Sequence, residues 1–253
     1  MGTRTATPTC TAAASTLVRA ALAGPVGPAT VVAAGTAAAY LDVGGDLVAV
    51  VAPGAVALPC AIVLAPGGEG ALAALVRSVD AGRIPLGVGA GAVWCDGEPV
   101  VTVRRWFDPR VRLRSIDPEA AGRLMATVCA VPPPDPAVPG ATASTDLLGL
   151  GAGLTPSGDD LVAGYLAALR ARGLPAADAL GAEVRRLAPR RTTRLSAALL
   201  VAADRGAVVP EAATVLRAAG GDGDVEAATR RLLALGHTSG WYLAAGLAAG
   251  CAA

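Results

Sequence analysis

The sequence predicts an α+β fold, with a β-rich N-terminal domain (residues 1–116) followed by an all-helical C-terminal domain (residues 117–253). Three observations carry this. Valine-rich pieces separated by Gly and Pro run from Thr30 to about Trp106. A stiff proline-rich linker follows at residues 132–140, with Pro132-Pro133-Pro134-Asp135-Pro136 at its centre. Beyond it the apolar spacing is helical throughout.

Element by element, Thr11 to Ala23 reads as a short helix. Strands follow at Val31-Val32, Leu47 to Val51, Val56 to Leu64 and Val88 to Val93, with a helix near Gly70 to Val79 between them. Trp94 to Val101 is a hairpin signal, because Asp96-Gly97 suits a turn that needs positive φ. Val111 and Leu113 alternate with Arg110, Arg112 and Arg114, which predicts a terminal strand with three Arg on one face. Asp117 before Pro118 is a cap and first-turn pair for a helix ending near Val131. The C-terminal helices are expected at Ser157 to Arg172, Pro175 to Leu187, Thr192 to Asp204, Pro210 to Ala219, Asp224 to Leu235 and Ser239 to Gly250, with the loop 220–223 between the fourth and fifth.

Composition narrows the chemistry. The 253 residues carry a net charge of +1, so bulk electrostatics call for neither nucleic acid nor an acidic membrane. All 21 basic residues are Arg, and Lys, Asn and Gln are absent. Biased codon usage accounts for that, but it leaves no Lys for a Schiff base or a Walker-type phosphate contact. Anions must then be held by Arg, hydroxyls and backbone N–H groups. Five scattered cysteines without a CxxC pair read as reduced thiols, and a single His makes a Cys/His zinc site improbable. The uncharged spans Ala20 to Leu41 and Leu47 to Gly68 have membrane-spanning length, yet Pro and Gly interrupt both, as in buried strands. No basic region followed by a compact apolar run opens the chain, so a soluble, cytoplasmic protein is expected.

The most informative stretch is Gly149-Leu150-Gly151-Ala152-Gly153-Leu154-Thr155-Pro156-Ser157-Gly158-Asp159-Asp160, a glycine-rich loop running into a helix start. Its Ser157-Gly158-x-x-Leu161-x-x-Gly164 frame recurs 82 residues later as Ser239-Gly240-x-x-Leu243-x-x-Gly246. Two helix starts of one design predict a pair of anion cradles. Ser157 with Asp160 fits a capping box, and Thr155-Pro156 fits a cap one turn earlier. Capping alone does not require the run of glycines, which lets backbone approach a ligand or adopt positive φ. Asp159-Asp160 stands where a Walker loop needs Lys-Ser/Thr, and no strand precedes the glycines, so nucleotide-loop readings fail. Residues 159 and 160 lie ~100° apart on a helix, so one faces the site while the other closes the cap or meets an Arg. The stripes Gly164-Ala167-Ala168-Ala171 and Tyr242-Gly246-Gly250 allow close helix packing that would bring the two starts together.

Three further constellations complete the candidate set. His237 is the one histidine and directly precedes Thr238-Ser239-Gly240, a position suited to proton transfer or anion binding as well as to a structural turn. Thr192-Thr193-Arg194-Leu195-Ser196 places Arg194 and Ser196 at another helix start. The run from Arg104-Arg105 to Arg114 reads as an exposed strand edge.

These motifs resemble the AllH-like family, named for a subunit of bacterial oxamate carbamoyltransferase. The likeness rests on Gly149 to Asp160, on Thr192 to Ser196 and on Gly236-His237-Thr238-Ser239-Gly240, and spans the C-terminal half; the β pattern and Trp106-Phe107-Asp108-Pro109 agree more weakly. The resemblance implies carbamoyl transfer between oxalurate and phosphate in purine and allantoin breakdown, shared with other subunits. Trp241-Tyr242 follow the second Ser-Gly where many members carry an Asp, a departure that bears on any shared Mg²⁺ site and on the substrate.

The reading that follows is a carbamoyltransferase or a subunit of one, acting on a small anionic substrate. His237, Asp159, Asp160 and Arg194 are the expected catalytic groups, and Gly151, Gly153, Thr155, Ser157, Gly158, Thr193, Thr238, Ser239 and Gly240 the expected substrate contacts. No resident cofactor is assigned beyond an optional Mg²⁺ on Asp159 or Asp160. The alternatives are a non-catalytic anion-binding scaffold subunit and a stand-alone enzyme acting on another small carboxylate.

Overall fold

The computed structural model describes residues 9–81, 85–135, 137–138 and 143–253. The chain divides into two compact units, Met1–Asp108 and Pro109–Ala253.

The first unit is a closed β-barrel. In chain order it comprises β1 (Cys10–Ser15), α1 (Arg19–Ala23), β2 (Gly27–Ala34), β3 (Ala38–Val43), β4 (Asp46–Val51), β5 (Ala61–Leu64), α2 (Glu69–Ala81), β6 (Leu86–Gly89), β7 (Ala92–Cys95) and β8 (Glu98–Phe107). Around the barrel the order is β1-β5-β4-β3-β2-β6-β7-β8, and β8 returns to β1. The β1/β8 and β4/β5 pairs are parallel; the other ladders are antiparallel. Val48, Val50, Ile62, Val93 and Val101 are fully buried in the core, with Leu22 from α1 and Leu75 from α2 packed in the same cluster. Alanines fill many of the remaining inward positions, as a narrow barrel interior requires.

Several expectations for this half are corrected. The reading of Thr11 to Ala23 as one helix gives way to β1, a 3-10 turn at Thr16–Val18 and the short α1. Helix propensity in Ala12-Ala13-Ala14 is overridden by pairing with β5 and β8, which closes the barrel. The single strand expected at Val88 to Val93 is a hairpin: Ala90 and Gly91 adopt φ of 51° and 74° and turn the chain between β6 and β7. Within Val56 to Leu64 only Ala61–Leu64 is a strand, and β3 carried too little valine to be recognised. The Asp96-Gly97 turn is present, with φ of 54° and 79°. Closure leaves no free sheet edge, so the strand-edge reading of Arg104 and Arg105 also fails; both are exposed on β8, where Arg105 pairs with Ala13 of β1.

The second unit is helical. Its elements are α3 (Pro118–Cys129), α4 (Ser157–Arg172), α5 (Ala176–Arg191), α6 (Arg194–Asp204), α7 (Pro210–Ala219), α8 (Val225–Leu233) and α9 (Ser239–Ala252), with a 3-10 turn at Thr145–Leu147. Asp117 caps α3 by accepting from the Glu119 amide at 2.9 Å, with Pro118 in the first turn. The expected end of α5 at Leu187 is corrected: the helix runs on through Pro189 to Arg191. The strand expected at Arg110 to Arg114 is absent. Val111 is buried and the three Arg are exposed, so the alternation is real. The chain there bonds to helix ends instead, Val111 N donating to Gly206 O at 2.9 Å and Leu113 N to Ala171 O at 2.8 Å. Of the linker at 132–140, residues 136, 139 and 140 lie outside the described set.

An acidic residue organises the far side of this unit. Asp204, 5% exposed at its side chain, takes Arg170 on one oxygen at 2.7 Å and Arg185 on the other, tying α4, α5 and α6 together. Gly181 of α5 leaves the space this needs, since a Cβ there would strike the Asp204 carboxylate. Among the described residues, no helix is long and apolar enough to cross a membrane.

Candidate functional site

The repeated Ser-Gly frame is a repeat in space as well as in sequence. α4 and α9 start side by side: Thr155 Oγ1, just before α4, lies 2.9 Å from Ser239 Oγ, the first residue of α9. They then run in the same direction, with Gly246 against Leu161 and Tyr165, and Gly250 against Ala168. The glycine of each Ser-Gly pair has one job. Gly158 N donates to Leu150 O at 2.8 Å and Gly240 N to Leu235 O at 3.0 Å. A Cβ on Gly158 would run into the Leu147 carbonyl, and one on Gly240 into the Leu232 carbonyl. Each glycine thus finds an acceptor for its own orphan amide in the preceding turn and, lacking a Cβ, leaves room for a second carbonyl packed against it.

That geometry revises how the cradles work. The Gly158 and Gly240 amides are already used, which leaves the Ser157 and Ser239 amides without partners among the described residues. The capping box expected between Ser157 and Asp160 is absent, since Pro156 occupies the cap position and no side chain closes it. The two serine hydroxyls are thus not consumed as caps, and both line one pocket.

The pocket has a volume of about 310 Å³. Gly153, Leu154, Thr155 and Ser157 form one wall, His237, Thr238 and Ser239 a second, and Asp135 a third. Gly153 needs its φ of 94° to turn the loop past the helix start. Gly151 lies tight beneath, where a Cβ would stand 2.7 Å from the Ser157 amide. Gly236, with φ of 63°, ends the turn after α8 and delivers His237 to the rim, where it is exposed.

The two carboxylates at the start of α4 have separate duties. Asp159 is 1% exposed and accepts from Gly149 N at 2.8 Å, from Ser196 Oγ at 2.6 Å and from Thr192 Oγ1. It ties the glycine loop to the α5–α6 turn, and both its oxygens are engaged. Asp160 is 8% exposed, with Oδ2 lacking any hydrogen-bond partner among the described residues. Burial pushes its carboxyl up to about 8; a hydrogen bond with Ser239 works downward and the neighbouring Asp159 charge upward. At neutral pH Asp160 is largely a neutral acid beside the hydroxyl that joins the two helix starts. Both Asp159 oxygens already accept hydrogen bonds, so of the two carboxylates expected to hold an optional Mg²⁺ it is Asp160 that keeps an unengaged oxygen. Among the described residues no group of three or more His, Cys, Asp or Glu side chains is placed to hold a metal ion.

The structure therefore brings Gly153, Thr155, Ser157, His237, Thr238 and Ser239 together at one pocket, with Asp160 behind Ser239. Thr193 supports it from outside, capping α6 and donating to Leu154 O at 2.5 Å. Arg194 is exposed at the start of α6 and is not among the lining residues. Gly151, Gly158, Gly240 and Asp159 shape the site without lining it. Sequence reasoning missed Asp135, and it missed what Trp241 and Tyr242 do. Tyr242 Oη donates to Asp135 O at 2.6 Å and Trp241 Nε1 to Val131 O at 2.9 Å, pinning the proline-rich segment as the third wall. The available signal was an aromatic pair directly after the second Ser-Gly, one turn from a pocket.

Fold and site together define an α+β protein with a pocket between two matched helix starts. Residues 147–251 match a family model described as oxamate carbamoyltransferase subunit AllH, and the matched stretch holds both Ser-Gly motifs and the α5–α6 turn. No significant match was found among curated proteins or solved structures.

Proposed function

We propose that this chain is a carbamoyltransferase subunit of the oxamate type, and that the pocket between α4 and α9 binds the small anions of the reaction. The observation that carries this reading is the 2.9 Å approach of Thr155 and Ser239. It sets two helix N-termini and their unpartnered serine amides around one cavity, where negative charge is favoured. A volume of about 310 Å³ suits a molecule of oxalurate size.

In the reaction, a phosphate oxygen attacks the carbamoyl carbon of oxalurate and a C–O bond forms. The tetrahedral oxyanion is stabilised by hydroxyl donors of the pocket lining, which include Thr155 and Thr238. The C–N bond to oxamate then breaks, and the departing nitrogen takes a proton. Asp160, neutral at pH 7, supplies that proton through Ser239, or His237 does so from the rim; the proton given up by hydrogen phosphate restores the donor. The products are oxamate and carbamoyl phosphate.

The nine described lining residues include no arginine, so charge is held by helix termini and hydroxyls, and a cation supplied by a companion subunit would complement them. This supports activity shared within a complex, in the reduced cytoplasmic setting that five free cysteines fit. The test is phosphate-dependent carbamoyl exchange on oxalurate, measured with purified chain alone and with companion subunits. Turnover that requires this chain and is lost in Ser239→Ala is expected. Full turnover by the companion subunits without this chain would sink the reading.

A further inference from the structure

Asp135 is an unusual wall for an anion site. Among the described residues that line the pocket it carries the only carboxylate, in a cavity also lined by two helix starts that attract negative charge. It is also held in place deliberately. Its carboxylate accepts from the Ala137 amide at 3.0 Å, which stiffens the turn, and its carbonyl is gripped by Tyr242 at 2.6 Å. The Tyr242 hydroxyl also reaches Val138 O at 3.3 Å, and Val138 is 1% exposed. A symmetric anion would meet repulsion at this wall. A ligand with opposite ends would not.

We infer that Asp135 is the specificity-determining residue of this pocket, selecting ligands that present N–H donors of a carbamoyl or ureido group to it while an anionic end lies against Ser157 and Ser239. The inference rests on the proposed anion-binding role of the pocket and adds an orientation to it. Charge-assisted hydrogen bonds give the discrimination, because a ligand oxyanion at the same place leaves two like charges opposed. The polarity also sets a donor-bearing end of the substrate at the proline-rich wall and leaves its acid end at the helix amides.

Isothermal titration of the full chain with oxamate, oxalate and inorganic phosphate tests this. Oxamate and oxalate share size and shape and differ in one end, amide against carboxylate. Wild-type protein is expected to bind oxamate at least ~10-fold more tightly than oxalate. In Asp135→Asn that preference falls to within about threefold while phosphate affinity is kept or improves. Asn retains the acceptor for Ala137 N, so the turn survives, and an unchanged melting temperature verifies it. An unchanged oxamate preference in Asp135→Asn, with all three probes still binding, overturns the inference and leaves the anion site standing. Failure of the wild-type chain to bind any of the three, with companion subunits present, overturns both.

Discussion

Gly164 and Gly246 occupy the same place in the two copies of the repeated frame, and they meet where α4 crosses α9. A Cβ on Gly246 would stand 3.0 Å from the Gly164 Cα and 2.7 Å from Tyr165 N, and would strike the Leu161 carbonyl. The reverse holds at Gly164, where a Cβ would strike the Leu243 carbonyl and stand 2.9 Å from Leu247 N. Each helix thus packs its glycine on the leucine carbonyl of the other, a reciprocal contact that follows from the shared sequence. The crossing is backbone on backbone.

That contact cannot relax by turning a side chain. Gly246→Ala is expected to cost about 1–3 kcal/mol, and to draw the two helix starts apart. Gly122 is the control: it lies in the exposed middle of α3, with nothing within 4 Å of a built Cβ. Gly122→Ala should stabilise by about 0.5–1 kcal/mol through helix propensity. Urea melts of the two variants should move in opposite directions, and movement of both upward would refute the crossing.

The helical half was legible because its signals are local. Gly-rich loops, Asp117-Pro118 and the Ser-Gly frame each fix a helix end within a few residues, and α4 and α7 begin and end where the sequence places them. The barrel was less legible because closure is not local. The β1 segment is alanine-rich and becomes a strand only through partners near positions 63 and 105. Ala90 takes a positive φ that favours Gly or Asn, so the turn between β6 and β7 is marked in the sequence by Gly91 and not at its first position. At the site, hydroxyls and glycines announced themselves, whereas Asp135 did not. Its role depends on Tyr242, which is 107 residues away.

Asp159 is expected to act as a structural tie. Replacing it with Ala leaves the Gly149 amide and the Thr192 and Ser196 hydroxyls without their acceptor in a buried place. A loss of roughly 3 kcal/mol is expected from those unsatisfied groups, with the glycine loop freed. Hydrogen exchange at residues 149–155 should rise in Asp159→Ala. A variant with wild-type stability and exchange would show that the tie holds nothing.

Tyr242→Phe removes one hydroxyl that grips Asp135 O and Val138 O. The ring stays buried and its edge-on contact with Trp241, at a centroid distance of 4.8 Å, is kept. About 1 kcal/mol of stability should be lost, on the scale of a single net hydrogen bond. The effect on function should be larger in KM than in kcat, because the wall is loosened while the helix starts remain. Limited proteolysis across residues 131–138 provides the structural readout, and unaltered cleavage there would count against the grip.

The pH dependence of stability follows from Asp160. Its carboxyl titrates near 4 in the unfolded chain and at about 8 when folded, chiefly through burial. A raised pKa means that the folded state holds the proton more tightly. The associated stability is complete below pH 4 and is lost as pH rises toward 8, since across that window the unfolded chain is ionised and the folded one is not. Asp160→Asn removes this titration while keeping the size of the side chain. The stability of wild type relative to Asp160→Asn should therefore decline between pH 5 and pH 8, by an amount on the order of a few kcal/mol, and level off above it. Urea titrations at four or five pH values measure the difference directly. A difference that stays constant across the window would mean that Asp160 is ionised in the fold, and would remove it as the neutral acid beside Ser239.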